Sequence, residues 1–280
     1  MTATHGNGPV LVTGASTGIG LAITRRLAAH GIPVLACVRR PGDAERVGQI
    51  PNVEAMILDV TSADDIERVR ARLDGQPLAG LVNNAGVSAG GPLEESTPQE
   101  WREHFDVNLF GHVDVTRAML DSLRSGDGRI VFIGSIAGRV GQPFLAPYSA
   151  SKGSIRQLAA SLRRELRMFG IWVALVEPGA MATEIWRKGG ERAGEISTNL
   201  SPRGHELYGD KLEALQQVVV KENDHAEPPD HVAQAVEHAL CARRPRPTYL
   251  VGRDARVANA LQTILPARAM DAFVARYIGI

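Results

Sequence analysis

The chain is short of cysteine, of excess charge and of long apolar runs, and each shortage excludes something. Its 280 residues hold two cysteines, Cys37 and Cys241, far apart in sequence. Cys37 lies inside an apolar run, so buried free thiols fit better than a disulfide or a metal site, and a reducing cytoplasm is the expected compartment. Thirty-one basic residues balance thirty-one acidic ones, which removes the positive field that a nucleic-acid partner needs. No segment reaches the roughly 18 uninterrupted apolar residues of a membrane span. The opening MTATHGNGPV has neither a basic patch nor an apolar stretch, so residues 1–8 read as a short flexible leader and not as an export signal. The eight histidines are scattered, and no His, Cys or carboxylate cluster has metal-ligand spacing, so no metal is expected.

What is present is an alternation of short apolar runs with amphipathic stretches. The runs are Pro9 to Thr13, Ile32 to Val38, Val53 to Leu58, Leu78 to Asn83, Arg129 to Gly134, Ile171 to Val176 and Thr248 to Val251. Rich in β-branched residues without strict alternation, they predict seven strands buried on both faces, joined by helical crossovers. The fold class expected is α/β, a doubly wound parallel sheet with helices on both faces, in one domain from residue 9 to 280. Thr97, Pro98 and Glu100 predict a capped helix start, and Gly31 and Gly170 fall where a helix end takes a residue of positive φ. A Gly- and charge-rich stretch from about Lys188 to Gly209 precedes a helical segment near Asp210 to Lys221. It reads as a substrate-loop insertion at about 184–225.

The first run leads into Thr13-Gly14-Ala15-Ser16-Thr17-Gly18-Ile19-Gly20 and then into a helical pattern. Small residues there let backbone approach a pyrophosphate, while the helix N-terminus offers free N–H groups and the positive end of its dipole. At the end of the second run stand Arg39 and Arg40, with no acidic residue between Gly31 and Gly42. An acid there would bind a ribose 2′-hydroxyl, whereas an arginine pairs with a 2′-phosphate. The bland alternative is that both arginines are solvated surface charges. Tyr148 and Lys152, four apart, open a helical pattern that places both side chains on one face. A lysine ammonium beside a phenol favours the phenolate.

The spacing TGxxxGxG resembles that of the short-chain dehydrogenase/reductase family. Further matches follow in order over roughly Val10 to Thr183: Asp59, Asn83-Asn84-Ala85-Gly86, Asn108, Ser135, the Tyr148/Lys152 pair and Pro178-Gly179 with Thr183. The resemblance implies a Rossmann-like domain and an alcohol/carbonyl oxidoreductase. It implies a dinucleotide held by Gly14, Ser16, Thr17, Gly18, Ile19, Gly20, Arg39, Arg40, Asp59, Val60, Asn84, Ala85, Gly86, Tyr148, Lys152, Pro178, Gly179 and Thr183. NADP(H) is favoured, with NAD(H) as the alternative. The catalytic set implied is Asn108, Ser135, Tyr148 and Lys152: Tyr148 as acid/base, Ser135 bonding the reacting oxygen, Lys152 holding the ribose, and Asn108 completing a water-borne proton path.

The stretch from Leu162 to Thr183 resembles the branch with hydroxysteroid and retinol dehydrogenases, which implies a bulky apolar alcohol or ketone as small-molecule substrate. Val87, Phe144, Leu145, Met181, Ile185 and Trp186 are candidates for its pocket, with ordinary core packing as the alternative for each. Other readings are a reductase of polar acyl or sugar carbonyls, and a non-catalytic NADP-binding sensor. The intact Ser135, Tyr148 and Lys152 argue against the sensor. The C-terminal extension, about 253–280, mixes apolar residues and arginines, which suits a peripheral membrane helix, a substrate lid or a subunit contact, and its break at Pro266 favours packing onto its own or a neighbouring subunit. A cytoplasmic homo-oligomer, dimer or tetramer, is the expected state.

Overall fold

The computed structural model describes residues 5–88, 90–182, 200–224 and 226–279. Seven strands form one parallel sheet: β1 (Val10–Thr13), β2 (Val34–Val38), β3 (Val53–Ile57), β4 (Gly80–Asn83), β5 (Arg129–Ile133), β6 (Trp172–Pro178) and β7 (Thr248–Val251). Each expected apolar run holds one strand, and the order is β3-β2-β1-β4-β5-β6-β7 with every pairing parallel. The order reverses between β1 and β4, which is where an open α/β sheet has its binding crevice, outside the carboxyl ends of the strands.

Alternate residues of the strands feed two cores. Val10, Val12, Val34, Ala36, Val131 and Ile133 pack on one face with Ile23 and Leu27 of α1 (Gly18–Ala29), while Leu11, Leu35, Cys37, Ile130 and Phe132 pack on the other. Burial on both faces is why these strands read as continuous apolar runs and not as alternating ones. Cys37 is a buried free thiol whose pKa burial pushes up to about 12, and Cys241 is a half-buried free thiol.

The crossover helices are α2 (Pro41–Gly48), α3 (Ala63–Leu73), α4 (Pro98–Phe105), α5 (Gly111–Ser125) and α6 (Ala146–Glu165). α4 opens with the full capping box of Thr97 and Glu100, and Gly31 and Gly170 take positive φ as expected. Between α4 and α5 one wide π-turn spans Asp106–Phe110, a feature that concentrates at functional sites. Among the described residues four helices follow β6: the long α7 (Pro202–Asp224), then α8 (Asp230–Cys241) and, after β7, the pair α9 (Arg253–Ile264) and α10 (Ala267–Ile278).

One expectation needs correction here, and one alternative is borne out. The helix expected near Asp210 begins at Pro202, because Ser201 Oγ accepts from the Gly204 N–H and caps it, so Gly204 and Gly209 lie inside a helix rather than in a loop. The C-terminal pieces, split at Pro266 as expected, pack on their own chain: Ala255 and Met270 bury against Ile136 and Val140. Among the described residues no helix is long and apolar enough to cross a membrane.

Candidate active site

The sequence of β1 and β4 knits the crevice together. Thr13 Oγ1 accepts from the N–H groups of Asn84 and Ala85, and Asn84 Nδ2 donates to the carbonyls of Thr13 and Gly14. Gly14 sits at φ +64 with the backbone of Ala85 so near that a Cβ would stand 2.9 Å from its Cα. Gly20 approaches the Gly14 carbonyl still more closely, at 2.2 Å for an added Cβ. These contacts require glycine for sterics alone, and they shape a tight turn into α1. Thr17 is the N-cap of α1, its side chain makes no cap bond, and the first turn carries no acidic residue. The first-turn N–H groups and the positive dipole end are therefore left for an anion.

Arg39 and Arg40 are exposed at the end of β2, and neither side chain has a partner among the described residues. Arg46, which sequence reasoning missed, reaches from α2 to donate to the Ser16 carbonyl at 2.9 Å and pairs with Asp43 at 2.6 Å. A guanidinium thus lies against the glycine-rich turn although Ser16 and Thr17 supply no charge. Asp59 is half-buried, its carboxylate accepting from the Thr61 N–H and hydroxyl, so part of its capacity is spent within its own turn. Val60 is buried against Gly111 and in the second core, which assigns its side chain to packing. Ile19 packs on the first core at the start of α1.

Ser135, Tyr148 and Lys152 meet beyond the carboxyl end of β5. The Ser135 side chain lies beside the Tyr148 phenol, and its Oγ accepts from the Ala137 N–H. Lys152, one helical turn beyond Tyr148, is buried, donates to the Ile133 carbonyl at 3.0 Å and holds its Nζ 5.8 Å from the Tyr148 ring centroid. Burial pushes the phenol up, and Ser135 pulls it partway back. Spacing anticipates an ionising influence of Lys152, whereas the direction of the phenol here is set by desolvation, with Ser135 opposing it. Burial likewise brings the lysine down to about 8.

Asn108 lies in the π-turn, fully buried, with its amide spread over the loop that follows β4. Its Oδ1 accepts from the Val87 N–H and its Nδ2 donates to the Val87 carbonyl, both at 2.9 Å. Gly86 sits between the two polar groups: a Cβ there would be 3.3 Å from Asn108 Oδ1 and 3.7 Å from Lys152 Nζ. Two buried histidines that the sequence left as scattered lie in this cluster. His104 Nε2 is 2.8 Å from Asn108 Nδ2, and its ring meets Tyr148 edge-on with centroids 6.1 Å apart. His112 Nε2 donates to the Ala85 carbonyl at 2.6 Å, and burial first, then Lys152, bring its pKa down to about 3. The signal for His104 was its i, i+4 spacing from Asn108.

Pro178 and Gly179 are buried at the end of β6, and the strap that follows is held from afar. Asp254 accepts from the Ala180 N–H at 2.6 Å, and Glu227 exchanges backbone bonds with Ala180 and Ala182. Glu177, just before, is fully buried and paired with Arg139, whose guanidinium also donates to Asn259 of α9. Thr183, Ile185 and Trp186 lie outside the described residues. Of the other pocket candidates, Met181 is buried in the first core, as the packing alternative has it, while Val87, Phe144 and Leu145 are half-buried. Phe144 takes φ +62 and meets the Tyr208 ring of α7 edge-on. A bulky residue in that region is strained, and such strain clusters at functional sites. Among the described residues no group of three metal-ligating side chains is found.

Comparison with known proteins bears on this site. Residues 9–193 match the family model described as short chain dehydrogenase. The chain is 32% identical over 272 residues to an NADPH-dependent 3-dehydrocapnine reductase of Ornithobacterium rhinotracheale, covering 93% of this chain and 94% of that protein. It is 35% identical to retinol dehydrogenase 16 of Homo sapiens, covering 95% and 87%, and 34% identical to 17-beta-hydroxysteroid dehydrogenase type 6 of Bos taurus, covering 95% and 87%. Among solved structures, a short chain dehydrogenase from Burkholderia cenocepacia J2315 in complex with NADP superposes with a TM-score of 0.74 at 25% identity, covering 95% and 96%.

Proposed function

The chain belongs to the short-chain dehydrogenase family of oxidoreductases, and from that premise we propose that it is NADP(H)-dependent and interconverts an alcohol and its carbonyl, with Tyr148 as acid/base. The observation that carries the reading is the placement of Ser135 beside the Tyr148 phenol with buried Lys152 one turn away, at the crevice where the sheet order reverses. The crevice fits a dinucleotide. The open N-terminus of α1 suits a pyrophosphate, and the exposed Arg39 and Arg40 suit a 2′-phosphate. The NADPH-dependent relative and the NADP complex support the same cofactor. When bound, the nicotinamide supplies or takes up a hydride at the substrate carbon.

The chain's own residues do the rest. In reduction, Ser135 donates a hydrogen bond to the carbonyl oxygen and Tyr148 gives it a proton as negative charge develops there. In oxidation the phenolate takes the hydroxyl proton. Lys152, an ammonium within reach of the ring, stabilises that phenolate and offers its remaining N–H groups to a ribose. Asn108 fixes the loop carrying Gly86 and Val87 beside Lys152.

A bulky apolar substrate of steroid or retinoid kind is supported by the half-buried Val87, Phe144 and Leu145, by the Phe144–Tyr208 pair, and by the retinol and hydroxysteroid relatives. The test is a panel of steroid, retinoid, acyl and sugar substrates assayed by nicotinamide absorbance with both cofactors, for the wild type and Tyr148→Phe. Turnover of apolar alcohols or ketones with NADP(H) is expected. Loss of the phenol should cut kcat at least about 100-fold while NADPH binding survives. Substantial residual turnover would sink the role of Tyr148, and a polar substrate would overturn the pocket reading.

A further inference from the structure

His104 is a buried side chain that the mechanism above leaves without a task. Its neighbour Asn108 settles its state. A backbone N–H can only donate and a backbone carbonyl can only accept, so the two bonds to Val87 fix which end of the Asn108 amide is oxygen and which is nitrogen. The nitrogen end faces His104 Nε2 at 2.8 Å. An amide nitrogen has no acceptor capacity, so Nε2 must be the acceptor and must carry no proton. The imidazole is therefore neutral, with its proton on Nδ1.

We infer that His104 is a positioning residue for the Tyr148 site, holding the Asn108 amide and the edge of the Tyr148 ring in place only while its Nε2 is unprotonated. This rests on the reading of Tyr148 as acid/base. The Asn108 nitrogen has two hydrogens and three acceptors in reach: the Val87 carbonyl, His104 Nε2 and, at 3.2 Å, Ser151 Oγ. Ser151 spends its own proton on the Tyr148 carbonyl, so the same amide links the π-turn, the loop after β4 and the first turns of α6. Protonating His104 turns one acceptor into a donor facing a donor, and places a cation among the titratable groups around the cluster: Tyr148 and Lys152 of α6 and His112 of α5. Both effects act against the arrangement that keeps Tyr148 beside Ser135.

The consequence has a distinctive direction in reduction. Tyr148 works protonated there, so its own titration gives only an alkaline limb to kcat. An acid limb, a fall in kcat as pH drops toward protonation of this buried imidazole, belongs to His104. The experiment measures kcat and KM for carbonyl reduction by NADPH from pH 5 to 9 in the wild type, His104→Gln and His104→Phe, with NADPH binding followed by nicotinamide fluorescence.

Gln has an amide oxygen that accepts from Asn108 and does not titrate. His104→Gln is expected to keep kcat near neutral pH within about threefold and to lose the acid limb, with the alkaline limb intact. His104→Phe keeps the ring contact but no acceptor, and should lower kcat about tenfold with KM and NADPH affinity nearly unchanged. An acid limb that persists in His104→Gln at the same midpoint overturns the inference, as does a wild type with no acid limb or a His104→Phe enzyme with wild-type kcat. If His104→Phe fails to fold, the His104→Gln profile decides alone. Tyr148→Phe is run in parallel: if it turns over normally, the reading of the site has failed, and not merely the part given to His104.

Discussion

Two buried nitrogen bases lie in the cluster around the proposed site, His104 against the Tyr148 ring and His112 within electrostatic reach of Lys152, and only one of them is tied to the chemistry. His112 is held neutral by burial, with Lys152 adding to the depression and the bond to Ala85 opposing it. Its folded pKa, about 3, lies below the ordinary 6.5, so the unfolded chain binds more protons than the native one between those values. Stability is therefore expected to fall as pH drops from 6.5 toward 3, by an amount on the order of 4 kcal/mol at the acid end. His112→Gln keeps a donor for the Ala85 carbonyl without the titration. The slope of Tm against pH between 6.5 and 5, above the main carboxylate range, should be visibly flatter in that variant, and equal slopes would refute the assignment. Nothing local marked His112 as different from the other histidines. Its burial is decided by Phe132 of β5 and Ala85 of the loop after β4, both distant in sequence. Ser135, Tyr148 and Lys152 were legible because helical spacing and motif order suffice to bring them together.

The elements that bear the site are supported by contacts of long sequence separation. Asp254, at the start of α9, accepts from the Ala180 N–H just beyond Pro178 and Gly179, and a Cβ at Gly179 would collide with its carboxylate at 2.0 Å. The strap after β6 is thus packed against a side chain 74 residues away. Asp254→Ala removes the acceptor and opens space beneath the strap. We expect it to raise KM for NADPH about 3- to 10-fold, in keeping with one lost charged hydrogen bond, while leaving the core intact. Unchanged KM at unchanged Tm would show that the strap does not depend on Asp254. The same long reach explains what sequence pattern failed to place. α7 starts earlier than its glycines suggest because the N–H and hydroxyl of Ser201 donate to Glu95, and Tyr208 is tied to Glu94. Arg46 meets Ser16 across 30 residues, with no periodicity to announce it. The strands needed no such help: runs buried on both faces carry their own signal, and each was legible to within a few residues.

At the scale of the molecule, one sheet serves two cores, and α9 and α10 close a third, small cluster over Ile136 and Val140. Because β1, β2, β5 and β6 contribute alternate residues to both large cores, one face cannot unfold while the other persists. A single calorimetric transition is expected for the intact chain. The crevice lies on the edge shared by β1 and β4, so a ligand there engages the whole cooperative unit. NADPH at about 100 times its Kd should add about 2.7 kcal/mol, which for a domain of this size raises Tm by roughly 5–10 °C. NADH at equal concentration should raise it less, since Arg39 and Arg40 stand exposed where a 2′-phosphate would be bound. Arg39→Asp puts an acceptor for a ribose hydroxyl where a cation stood, and should reverse the order of the two shifts. Two separate transitions would break the single-domain reading, whereas a single transition with NADH ahead in the wild type would leave the fold standing and reassign the cofactor.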